Sequence, residues 1–309
     1  SSGGSLVGAY IATQTGADYE AMFAPEKIAS VFAGDDATRH PDQNITSEEL
    51  LESLVAILPD LTFEEAFEQT GRQLNVSVAP LETMQTSRLL NAITSPNVYI
   101  REAVMASCAI PGIYPPVTLM AKNDHGERQA YLPSRQWVDG SVSDDLPAKR
   151  LARLYGANHY IVSQTNPHVL PFLAGDRDDS GPFMQMARAS METVRTWLNA
   201  SAEIARKPIA RSQTLSRLSS VALSVINQEY QGDITILPNQ RFMNPLKLLR
   251  IRAPDDVQRL LTMGERSTWP KLEMIRTQTK IGAALGDILR EYEEEVLDHA
   301  DERVKKRAS

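Results

Sequence analysis

The stretch Ser1-Ser2-Gly3-Gly4-Ser5-Leu6-Val7-Gly8-Ala9 opens the chain and organises the reading of the rest. Read forward, it is a turn of small residues that runs straight into a helix. Leu6, Val7, Tyr10 and Ile11 recur at helical spacing, and Gly16 follows the last periodic residues as a helix-ending cap. Ser1-Ser2-Gly3-Gly4 has the form of the last four residues of a Gly-x-Ser-x-Gly nucleophile elbow, with Ser2 as the nucleophile and the first glycine just upstream. An elbow turns a strand sharply into a helix and leaves one hydroxyl exposed at the turn. Glycine-sized neighbours permit the strained dihedrals and the close approach of a substrate. The helix that starts there aims its free N–H groups and the positive end of its dipole at a developing oxyanion. A glycine–serine linker fused ahead of a domain spells the same letters, so these nine residues do not decide between the two by themselves.

Composition narrows the class. The chain has 309 residues, 42% hydrophobic and 23% charged, enough for one large globular domain or two ordinary ones. Its one cysteine, Cys108, excludes an internal disulfide and fits a reducing, intracellular compartment. No run approaches the length of a membrane span, and no secretory leader is visible. Because an elbow is preceded by a strand, the reading expects the chain to be a fragment, so the missing leader carries little weight. The net charge of −7 argues against a nucleic-acid binder. That charge is uneven: residues 17–69 are strongly acidic and residues 182–252 basic. Solvated surface explains both, and a basic face meeting anionic lipid headgroups is the sharper reading of the second.

Strand and helix signals then alternate. Thr46-Ser47-Glu48-Glu49 and Thr62-Phe63-Glu64-Glu65 read as capping boxes that open two helices, with Pro59 between them. Leu74 to Val78 alternates apolar and polar residues and ends at Pro80, as a strand does. A helix is predicted over Ile100 to Cys108, stopped by Pro111-Gly112. Val117 to Ala121 and Ala130 to Leu132 form a hairpin around Asn123-Asp124-His125-Gly126. Trp137-Val138-Asp139 is a strand end meeting a tight turn at Gly140-Ser141. Leu146 to Tyr155 is a helix closed by Gly156, and His159 to Ser163 a strand of buried type. Beyond Pro182 the pattern is mostly helical, with one strand candidate at Asp233 to Leu237. A long amphipathic helical region covers Asp255 to about Lys306, broken at Trp269-Pro270. The alternation points to an α/β sheet with helices on both sides.

Two further segments bear on chemistry. Asp139, at a strand end before Gly140, can take a proton from Ser2 Oγ if the fold brings the two within reach. An aspartate that merely bonds its own turn backbone spells the same pair. Ala106-Ser107-Cys108-Ala109-Ile110-Pro111-Gly112 is a small-residue helix end suited to close packing.

The three segments in this order resemble the patatin-like phospholipase family. There an elbow serine pairs with an aspartate in an Asp-Gly-Gly or Asp-Gly-Ala turn, without a histidine; Asp139-Gly140-Ser141 departs mildly at the third position. Thr62 to Phe67, Thr70-Gly71-Arg72, Leu89-Leu90-Asn91, Ser95 to Val98 and Ile161 to Val169 look like the branch containing the triacylglycerol lipases of yeast lipid droplets and plant seeds. The resemblance covers most of residues 1–280. It implies a three-layer α/β sandwich with a central, mostly parallel sheet. Residues 1–180 would be the catalytic domain, and residues 181–309 a mainly helical C-terminal region packed on it. It further implies a Ser2–Asp139 dyad, with Asp139 as base and then acid, an oxyanion donor at Gly3 N–H, and neither cofactor nor metal. The family's glycine-rich oxyanion loop has no counterpart here, because Gly3-Gly4 is the only adjacent glycine pair. The expectation is therefore that the whole protein is active while these residues alone are inactive or fold poorly.

Other residues offer alternatives. Ser2, Asp139 and His168 stand in the order of an α/β-hydrolase triad. His40, His125, His159 and His299 show no ligand spacing, and Cys108 reads as a buried structural thiol. Met184, Ala187, Met191, Val194 and Leu198 share one helical face, with Arg188, Arg195, Arg206, Lys207 and Arg211 nearby. That helix either covers core or rests on a membrane or lipid-droplet surface. Three functions stay open: a triacylglycerol lipase, a phospholipase or lysophospholipid acyltransferase using the same acyl-enzyme, and a non-catalytic lipid-binding protein.

Overall fold

A computed structural model of the chain describes residues 2–16, 21, 23–33, 45–82, 85–111, 113–142, 146–164, 232–237 and 253–308. Helix α1 (Ser2–Thr13) comes first. Its fully buried positions are Ser5, Ala9, Ala12 and Thr13, whereas Val7 is exposed and Leu6 and Tyr10 are only partly covered. The buried stripe is thus the small-residue face, which lets neighbouring helices come close.

α2 (Pro25–Ala33) and α3 (Ser47–Ile57) pack on each other. α3 and α4 (Phe63–Thr70) each open on the full capping box read from sequence. Thr46 and Thr62 accept the backbone N–H of Glu49 and Glu65, and those glutamates accept the threonine N–H groups in return. Two further N–H groups of α4 are taken by the loop at residues 95–98: Phe63 donates to Val98 at 3.1 Å and Glu64 to Pro96 at 3.0 Å.

Strands β1 (Val76–Pro80), β2 (Arg88–Leu90) and β5 (Trp137–Asp139) form an antiparallel sheet in the order β2-β1-β5. Every residue of β1 and β5 is buried. Helix α5 (Ile100–Cys108), with the bounds expected, lies across β1 and β5 and also meets α1 and α3. The core of this layer includes Leu54, Phe63, Val78, Ile100, Leu119 and Trp137. β3 (Met120–Lys122) and β4 (Arg128–Ala130) make the expected hairpin, with Gly126 at φ +81° in its turn.

α6 (Ala148–Tyr155) begins after Pro147 and ends at Gly156 in the left-handed conformation. β6 (Ile161–Ser163) pairs in parallel with β7 (Ile234–Ile236), across a long stretch of chain. The strand read as one of buried type has only Val162 buried: among the described residues β7 is its one partner strand, and Ile161 is exposed. The fold is α/β. Among the described residues the β6–β7 pair is parallel and the three-stranded sheet antiparallel, so the central, mostly parallel sheet that the resemblance implies is not seen among them. α7 (Pro254–Thr268) packs on α2, and a short 3-10 turn at Trp269–Lys271 links it to the long helix α8 (Leu272–Ala308). No helix among the described residues is long and apolar enough to cross a membrane.

Candidate active site

Asp139 ends β5, directly opposite Val78 of β1, and is buried. Its backbone N–H donates to Ala109 O at 3.0 Å, which ties the strand end to the cap of α5. One carboxylate oxygen, Oδ1, accepts the Ser141 N–H at 2.9 Å. The turn-bonding aspartate weighed from sequence is therefore real for that oxygen, and it fixes the carboxylate's direction.

Cys108, the last residue of α5, joins this carboxylate to the start of α1. Burial, and then repulsion from Asp139, push its thiol up to about 12, against a hydrogen bond to Ser5 that pulls the other way. The thiol stays neutral at physiological pH, which removes it as a nucleophile. Ser5 lies one helical turn, an axial rise of about 4.5 Å, past Ser2. Ser5, in the first turn of α1, and Asp139 are thus both neighbours of Cys108.

Ser2 is the first residue of α1. Gly3 and Gly4 follow in the first turn, exposed, and a Cβ placed on either meets nothing within 4 Å. Neither has a positive φ, so what their missing side chains leave is open space above the helix end rather than an unusual backbone. The first N–H groups of a helix have no intrahelical acceptor, and Gly3 N–H is one of them.

Several residues quoted for the resemblance have physical work in this layer. Gly71 caps α4 at φ +67°. Thr70 Oγ1 donates to Ala12 O at 2.9 Å, and Arg72 donates to Ile11 O at 2.9 Å and Gln14 O at 2.8 Å. These bonds close the far end of α1. Asn91, fully buried, accepts from the N–H groups of Ile93 and Thr94 and donates to Asn75 Oδ1 at 2.9 Å. The contact that sequence reasoning missed is Ser77 beneath Gly140; the polar letter inside an otherwise apolar strand was its only signal. His168 and the Met184–Leu198 face with its arginines lie outside the described residues. His159 Nδ1 stands 3.5 Å from Asp233, away from the Asp139 turn in sequence and paired within the β6–β7 unit.

The patatin-like phospholipase family model matches residues 1–152, and that part of the chain belongs to that family. Among its relatives, triacylglycerol lipase 4 of Saccharomyces cerevisiae is 36% identical over 245 residues, covering 74% of this chain and 26% of that protein. Triacylglycerol lipase SDP1L of Arabidopsis thaliana is 36% identical over 244 residues, covering 74% and 29%. Triacylglycerol lipase ptl2 of Schizosaccharomyces pombe is 30% identical over 309 residues, covering 91% and 47%. The matched regions therefore amount to between about a quarter and a half of these relatives.

Proposed function

We propose that the whole protein is a serine hydrolase of lipid esters, with triacylglycerol as its substrate class. Ser2 Oγ attacks the ester carbonyl while Asp139 takes its proton, and Gly3 N–H donates to the oxyanion. Collapse expels the alcohol, which leaves with the proton from Asp139, and water then releases the fatty acid from the acyl-enzyme by the same route in reverse. Residues 1–180 form the catalytic domain in this reading, and residues 181–309 a mainly helical region that brings it to a lipid surface inside the cell. The observation that carries the proposal is the buried Asp139, its carboxylate oriented by Ser141 and set near Cys108, which also neighbours Ser5 of α1. The relatives' names, which are those of triacylglycerol lipases, supply the substrate class.

The test is to incubate the whole protein with triolein, with phosphatidylcholine, and with lysophospholipid plus acyl-CoA. Fatty acid released chiefly from triolein, and lost in Ser2→Ala and Asp139→Asn, supports the reading. Release chiefly from phosphatidylcholine, or transfer to the lysophospholipid, moves the same dyad to the other substrate class. A loss in His168→Ala as severe as in Ser2→Ala replaces the dyad with a triad.

A further inference from the structure

Helix α8 carries an apolar stripe that no other element covers among the described residues. Ile281, Leu285, Ile288 and Tyr292 are 62%, 62%, 61% and 65% exposed. They recur at intervals of four, three and four, the period of a helix-pairing seam. Leu289 and Val296 widen the stripe on one side.

The charges beside the stripe say what fits it. Within the helix, Arg276 pairs with Glu273 at 2.6 Å and Arg290 with Asp287 at 3.0 Å. Lys280 in the first half and Glu291, Glu293 and Glu294 in the second then have no ion-pair partner among the described residues. Lys280 and Glu291 are about three helical turns apart, so they sit on the same flank of the stripe.

We propose that a second copy of this chain docks on this face, α8 against α8, antiparallel about a two-fold axis between Leu285 and Ile288. In that register Ile281 of each copy meets Tyr292 of the other, and Leu285 meets Ile288. Lys280 of each copy comes within about one helical turn in level of Glu291 of the other, and the two-fold makes that pair twice. A parallel pair would set this flank of one copy against the opposite flank of the other, where Lys280 would face Thr279 and Gly282 instead of a glutamate. An anionic membrane fits the face less well, because the same glutamates would approach its headgroups.

Sedimentation equilibrium of the whole protein tests this, with the helix content followed by circular dichroism. The expected result is a reversible dimer. Leu285→Glu combined with Ile288→Glu should give a monomer of unchanged helix content, since neither side chain is part of the core. Lys280→Glu should weaken the dimer by roughly tenfold, as two attractive pairs become repulsive. Lys280→Glu with Glu291→Lys should restore it. A monomer at every concentration overturns the proposal, as does a dimer that survives the double glutamate variant or is not restored by the charge swap. Flotation with phosphatidylcholine–phosphatidylserine vesicles that is lost in the double variant would make lipid the occupant and overturn it too.

Discussion

Gly140 stands directly on Ser77. A Cβ built on Gly140 would lie 2.5 Å from the carbonyl carbon, the carbonyl oxygen and the Oγ of Ser77. Two of those atoms are backbone of the central strand β1, so they cannot swing aside as a side-chain end would. The glycine after Asp139 is therefore required by close approach, and that approach sets where the Asp139 carboxylate sits. Gly140→Ala should cost about 1–3 kcal/mol through overpacking. It should also lower turnover more than a loss of folded protein explains. Urea unfolding together with kcat on the folded fraction checks both.

The two capping boxes differ in their surroundings. Thr46 is exposed, whereas Thr62 is buried and bridges to Tyr99. Thr62→Ala should cost about 1–2 kcal/mol, at the upper end for a lost cap, and Thr46→Ala about 0.5–1 kcal/mol. Denaturant midpoints of the two variants measure the difference, and equal costs would show that burial adds nothing to the cap.

Two glutamates predict opposite responses to acid. Burial works against Glu65, but hydrogen bonds from Lys122 and Thr62 outweigh it and hold the carboxyl below its ordinary value of 4.5. The stability this pair supplies is complete above pH 4.5 and is lost as pH falls through the lowered value. Lys122→Met should therefore destabilise at neutral pH and cost progressively less below pH 4.5. Glu102 is pushed up by burial despite Arg128, and its Oε2 is buried with no hydrogen-bond partner. The native state takes up this proton at higher pH than the unfolded chain, so its contribution to stability grows on acidification. Glu102→Gln should remove that part of the slope. Unfolding free energies from about pH 7 down to about pH 2 test both signs.

Cys108 gives a chemical probe of the site's closure. With its thiol pushed up to about 12, it should react with iodoacetamide at pH 8 roughly three orders of magnitude more slowly than an unperturbed cysteine. Unfolding in urea should restore the ordinary rate. Fast alkylation of the native protein would mean that the surroundings of the half-buried Cys108 do not hold its thiol up.

What the sequence made legible was local. The Ile100–Cys108 helix, both capping boxes, the hairpin turn at Gly126 and the β5 strand end at Asp139 depend on residues a few positions apart, so periodicity and cap chemistry suffice to place them. Relationships across the chain were not legible. The spacing of Leu6, Val7, Tyr10 and Ile11 marked α1 as a helix but not its buried face, which is that of Ser5, Ala9 and Ala12, where neighbouring helices come close. The parallel pairing of β6 with β7 leaves no periodic trace in either strand. Ser77 under Gly140 and Cys108 beside Asp139 likewise arise only when β1, β5 and α5 are stacked. The two residues of the proposed dyad stand in two motifs of the sequence, while the Asx bond that orients Asp139 belongs to the folded turn.

The account rests on Ser2 being activated by Asp139. The most direct measurement is peptide mapping by mass spectrometry after the whole protein reacts with a fluorophosphonate, which labels serines that behave as acyl-transfer nucleophiles. The account predicts one adduct, on the peptide bearing Ser2, formed at least a hundredfold more slowly in an Asp139→Asn variant of unchanged circular dichroism. An adduct on a different serine, or labelling of Ser2 at the same rate without the Asp139 carboxylate, would contradict it.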